Sequence, residues 1–117
     1  SYEAETLPIR WLYHTLRTCG NLYEINRVLE KLYSRKTGED PAPYFSHLKS
    51  LLMDEKQNAL EAFPIAKKDV RLETLYRDDH SFHRLTDMLQ AKIELTEKQI
   101  TFELPALEKK IREKMNG

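Results

Sequence analysis

The sequence predicts an all-α domain: an antiparallel bundle of three long helices, with room for a short fourth element. Three observations carry this. Apolar residues recur in steps of three and four along three separate stretches. Only three glycines interrupt runs rich in Leu, Glu, Lys and Arg, which are good helix formers. At 117 residues, the chain has the length of a single domain able to bury roughly two thirds of its unfolded surface. Charged residues reach 32%, but four Phe, six Tyr and one Trp are spread along the chain, which argues for a folded core rather than disorder.

The first helix is expected over about 8–36. Pro8 suits an opening turn because its φ is already helical. Ile9, Leu12, Leu16 and Cys19, then Leu22, Ile25, Leu29 and Leu32, supply its apolar stripe. The phase slips at "CGN", residues 19–21, where Gly20 either ends one helix or sits inside a continuous one. The apolar face resumes at once, which favours continuity. "TGEDPAP", residues 37–43, reads as a stop and a turn.

A second helix, 43–63, carries Phe45, Leu48, Leu52, Ala59 and Phe63 inward and is expected to end before Pro64. The segment from Ile65 to Ser81 is ambiguous between short helical turns and loop. A third helix, 81–115, has the strongest signal: Leu85, Leu89, Ile93, Thr96, Ile100, Leu104, Leu107, Ile111 and Met115 hold phase across Pro105. A kinked but continuous helix is therefore expected. Three such amphipathic helices with short links should pack up-down-up as a single domain over residues 1–117.

Nineteen basic and nineteen acidic side chains cancel. A nucleic-acid partner normally requires a basic excess, so none is expected. No apolar run approaches the ~20 residues of a membrane span. The chain starts at Ser1 without Met and is expected to be a processed or excised piece. The lone Cys19, on the apolar stripe, reads as a small buried hydrophobe.

"YRDDHSFHRLTDM", residues 76–88, is the one stretch dense in chemistry-bearing side chains. His80, His83 and Asp87 share a helical face, a spacing compatible with a zinc-like site and with a small metal-dependent enzyme. Leu85 and Leu89 lie on the opposite side, however, so the trio faces away from the core. The favoured reading is a cap and a solvated face, with Asp78, Asp79 or Ser81 at the helix start.

A second polar stripe, Arg10, His14, Arg17, Asn21 and Glu24, runs along the first helix. Arg10, His14 and Arg17 form a possible anion-binding face, but an outer solvated face is the expected role. Trp11, Tyr13, Tyr23 and Tyr33 are more in keeping with core filling than with a sugar-stacking platform. Asp54, Glu55 and Glu61 show no spacing that singles out a general acid and base. No phosphate loop, nucleophile elbow, dinucleotide fingerprint or paired-cysteine motif occurs. No cofactor is expected.

"EKQNALEAFPIAKKDVRLE", residues 55–73, resembles the helical C-terminal region of large bacterial glycoside-hydrolase-like proteins. The matching residues are Asn58, Ala59, Asp69, Arg71 and Leu72, with Ala91, Lys92 and Ile93 further on. Glu73 stands where that pattern usually has Gly. The resemblance implies an accessory helical region of a secreted or periplasmic protein acting on complex glycans, its catalytic barrel lying outside these residues. Asp69 and Arg71 would then form a structural ion pair or helix-end contacts. The sequence-based expectation is thus a non-catalytic accessory or docking domain, partnered by a neighbouring domain of the same polypeptide or by another protein. A free-standing interaction module that binds a partner helix is the alternative.

Overall fold

The computed structural model describes the backbone of residues 2–68 and 85–116, with side chains from Ile9 onward. It is all-α. Helix α1 spans Tyr2–Tyr33 and α2 spans Ala42–Lys68. A third rod consists of α3, Leu85–Lys98, a π-helical turn, Gln99–Glu103, and α4, Leu104–Asn116. The pairing register makes neighbours antiparallel. Arg17 meets Asp54 and Glu61, whereas Val28 and Leu32 meet Phe45 and Leu48. Glu55 meets Lys92, whereas Asp40 meets Arg112. α2 packs closely along both neighbours, and α1 reaches the third rod chiefly through side chains.

α1 runs unbroken through Gly20, as the resumed periodicity suggests. It begins at Tyr2, however, ahead of Pro8. Pro8 therefore lies in the second turn, where it removes one backbone bond, to the Ala4 carbonyl, without ending the helix. The helix ends at Tyr33, three residues short of the expected limit. Ser34 Oγ turns back to the Glu30 carbonyl, and Arg35 Nη1 donates to that of Leu32, satisfying the last carbonyls. Gly38 then takes φ of 85°, a conformation that strains any residue with a Cβ. Asp40 Oδ1 accepts the Ala42 N–H at 3.0 Å and fixes the start of α2.

α2 does not stop at Pro64 but continues one further turn to Lys68. Pro64 and Leu60, the residue whose carbonyl loses its partner, both lie on the exposed side, so water can reach the vacated carbonyl. Ile65 and Ala66 beyond it are buried, and burying such an aliphatic side chain is worth about 2 kcal/mol, which offsets much of the proline penalty. In the third rod, Pro105 is accommodated by the π turn just before it. The Leu104 N–H bonds back to the Gln99 carbonyl, widening the helix where proline's ring must fit.

The core has two apolar ends. At one, Trp11 packs with Ala59, Ala62, Ile65, Leu85 and Leu89. At the other, Val28, Leu32, Phe45, Leu48 and Ile111 close together, with Leu104 and Leu107 against them. Of the inward positions expected on the third rod, Leu85, Leu89, Ile93, Thr96 and Ile111 are buried, Ile100, Leu104 and Leu107 are half-buried, and Met115 is exposed.

α1 departs from expectation in its first half. Ile9, Leu12, Leu16 and Leu22 are 69%, 55%, 61% and 54% exposed, and Cys19 is exposed as well. The inner face there is Trp11, His14, Thr18 and Asn21. The reason lies on α2, whose inward register positions in this region include Glu55 and Asn58, both buried. An oily stripe laid against them would leave a carboxylate and an amide without partners, each at a desolvation penalty of about 1–3 kcal/mol. The polar stripe of α1 can satisfy them.

Candidate functional site

Between the two apolar ends lies a polar belt built from all three rods. The amide of Asn58 sets its direction. Its Nδ2 donates to the His14 carbonyl at 2.8 Å and to Thr18 Oγ1 at 2.9 Å. Asn58 Oδ1 therefore faces His14 Nδ1, which must carry a proton to bond it. Thr18, accepting from Asn58, donates onward to Glu55 Oε1 at 2.7 Å. Lys92 Nζ reaches the same carboxylate oxygen at 3.3 Å. Asn21 Nδ2 bridges Glu55 Oε2 at 3.1 Å and Asp54 Oδ2 at 2.9 Å.

Arg17 closes the belt. It grips Asp54 with two parallel bonds, Nη2 to Oδ1 at 2.7 Å and Nε to Oδ2 at 3.0 Å, while Nη1 meets Glu61 at 2.7 Å. The two-pronged contact is the strong geometry for a guanidinium and a carboxylate. It holds the Asp54 carboxyl below the ordinary aspartate range, Arg17 contributing most and Asn21 next. The same bonds hold the Arg17 guanidinium above its usual value.

The middle of the polar stripe on α1 is thus not an outer face. Arg17, Asn21 and His14 turn toward α2, and the three donor groups of Arg17 point at carboxylates rather than at an incoming anion. Arg10 is exposed beside Tyr13 and Glu61. The residues that periodicity missed are Thr18, Asp54, Glu55, Asn58 and Lys92. A signal for one of them is present: in α2 the positions 45, 48, 52, 55, 59, 62 and 66 form one seam, and Glu55 is the charged residue within it.

A cavity of about 230 Å³ opens beside the belt, lined by Trp11, Thr18, Asn58, Met88, Leu89 and Lys92 among others. That is smaller than the roughly 300–1,000 Å³ of ordinary ligand pockets. Its polar lining is already engaged within the belt. Among the described residues, no group of three or more His, Cys, Asp or Glu is placed to hold a metal ion. Asp87 is exposed on the first turn of α3, while His80, His83 and the expected caps Asp78, Asp79 and Ser81 lie outside the described residues. So do Asp69 and Arg71.

The opposite side of α1 carries a second feature. Ile9, Leu12, Leu16, Cys19 and Tyr23 follow one another in steps of three and four and all face outward, with Tyr13 and Leu22 flanking them. Trp11 is buried, but Tyr13, Tyr23 and Tyr33 are more than half exposed. No described helix is long and apolar enough to cross a membrane. The chain matches no family model, no curated protein and no solved structure.

Proposed function

We propose that this chain is a non-catalytic helical docking domain and that the outward face of α1 is its contact surface. The observation that carries this reading is the exposure, along one stripe of one helix, of Ile9, Leu12, Leu16 and Tyr23, each more than half open to solvent, with the exposed Cys19 between them. Together these five side chains present on the order of 500 Å² of largely apolar surface, at the upper end of the roughly 300–600 Å² of the largest patch on an ordinary monomer, a patch that is itself often functional. The spacing in threes and fours suits a helical occupant, whose side chains fit between those of the seam. The setting, an accessory part of a larger carbohydrate-processing protein, is the one implied by the resemblance at Asn58, Ala59 and Ala91 to Ile93.

The polar belt supports a structural role for the carboxylates. Asp54 is clamped by Arg17 and Asn21, and Glu55 accepts from Thr18, Asn21 and Lys92. A general acid or base needs an accessible proton and a pKa near the working pH. Asp54 is shifted the opposite way.

Replacing Leu12 and Leu16 together by Glu tests the reading. The unfolding free energy of the monomeric chain should stay within about 0.5 kcal/mol of the parent, while retention on an apolar chromatography matrix should fall. A loss of about 2 kcal/mol or more would mean that the chain's own fold covers this face, and the docking reading would fail.

A further inference from the structure

Resting on that docking reading, we infer that the occupant of the α1 seam is a second copy of this chain, its α1 laid antiparallel against the first. The seam positions Ile9, Leu12, Leu16, Cys19 and Tyr23 have the three-four alternation of a two-stranded coiled coil, and they are free of charge from end to end. The seam is also self-complementary. Pairing Leu16 with Cys19 of the second copy, and Leu12 with Tyr23 of the second copy, makes two pairs of matched layers about one two-fold axis. Gly20 flanks the central layer, and an added Cβ there would meet nothing within 4 Å, so the approach is unobstructed.

The area fits as well. About 500 Å² per copy, or about 1,000 Å² in all, reaches the lower limit for a specific interface and suits a weak dimer. The formal net charge of the chain is zero, so two copies meet without overall repulsion. An isologous contact of this kind closes on itself, leaving no seam free to propagate a filament.

The test is the mass in solution of the 117-residue chain, by sedimentation equilibrium up to about 100 µM, a range that detects any dimer of micromolar affinity. The expected result is twice the 13.9 kDa of one chain. Leu16→Glu should weaken the dimer by at least tenfold, because it buries two like charges at the central layers. In the antiparallel register the two Cys19 residues sit about 4.5 Å apart along the helix axis, so a short bis-maleimide should join them.

A chain that stays monomeric, with the stability of Leu16→Glu unchanged, would overturn the second copy and leave the seam for a different protein. A Leu16→Glu monomer that is clearly destabilised would overturn both this inference and the docking reading. A dimer that survives Leu16→Glu uses another face, and one that Cys19 cannot cross-link lacks the proposed register; either result sinks the inference.

Discussion

Before Gly20, helix α1 turns Thr18 and His14 inward and Leu12 and Leu16 outward; after it, Val28 and Leu32 face inward and Glu30 and Tyr33 outward. Both halves are amphipathic with the same period, and the helix does not break between them. What differs is the surface that α2 offers. Opposite Val28 and Leu32 it presents Phe45 and Leu48; opposite the stretch from His14 to Asn21 it presents Asp54, Glu55 and Asn58, while Trp11 of the first half is set against Ala59 and Ala62. Hydrophobicity alone decides which face is buried only where the facing surface is also apolar. Where it is polar, stranding a buried carboxylate costs about 3–5 kcal/mol, more than the roughly 1.5–3 kcal/mol gained by fully covering a leucine.

The sharpest way to break this contrast is to truncate a leucine in each half. Leu32, fully buried, should lose about 3 kcal/mol as Leu32→Ala, through lost burial and the cavity left behind. Leu16→Ala should stay within about 0.5 kcal/mol at concentrations where the chain is monomeric. Denaturant unfolding of both variants measures the pair. Equal losses would erase the distinction between the halves.

That pair also shows how far the sequence was readable. The three rods, the continuity through Gly20 and the inward stripe of the third rod all follow from periodicity, because their apolar residues face apolar neighbours. The slip at Cys19 to Asn21 was visible too, but its meaning was not. It marks the far end of the polar belt, after which the side facing α2 turns from His14, Thr18 and Asn21 to the apolar Val28 and Leu32. A single helix cannot reveal that, since Leu12 and Leu16 look like core residues until Glu55 and Asn58 are seen opposite Thr18 and His14. Pro64, unlike Pro105, misled for a related reason. Pro64 reads as a stop, and only the burial of Ile65 and Ala66 beyond it shows why the helix continues.

The next prediction concerns the belt itself. Lys92→Met should destabilise the fold by about 2 kcal/mol, because it leaves the buried Glu55 carboxylate without its cation. Adding Glu55→Leu should recover part of that loss, since a buried ion pair can be replaced by apolar packing at little net change. A double-mutant cycle checks the coupling. If the double variant is as unstable as the two losses added, Lys92 and Glu55 are not energetically coupled, and the carboxylate is held by Thr18 and Asn21 instead.

A smaller effect in the opposite direction is expected at the junction of the halves. Gly20 is helical, exposed and clear of neighbours at its Cβ position. Gly20→Ala should therefore stabilise the monomer by up to about 1 kcal/mol, by reducing the freedom of the unfolded chain. Thermal or denaturant unfolding of the variant measures it. A loss would mean that the backbone there needs a conformation only glycine adopts, and the two halves would be separate helices.

The smallest effect is the pH dependence of the clamp between Arg17 and Asp54. Arg17, and then Asn21, lower the carboxyl's pKa in the folded chain, so folding favours the ionised form. The stabilisation is fully present above the ordinary aspartate value of about 3.9 and fades as pH falls below it toward the folded value. The Asp54 side chain is 43% exposed, so solvent screening keeps the contribution to about 0.5–1 kcal/mol. Asp54→Asn should therefore be less stable than the parent at pH 7, with the gap closing as the solution is acidified below about pH 4. Unfolding free energies of both proteins between pH 7 and pH 3 decide it. A gap that stays constant across that range would mean that Asp54 contributes through packing rather than charge, and the first half of α1 would owe less to the belt than the geometry implies.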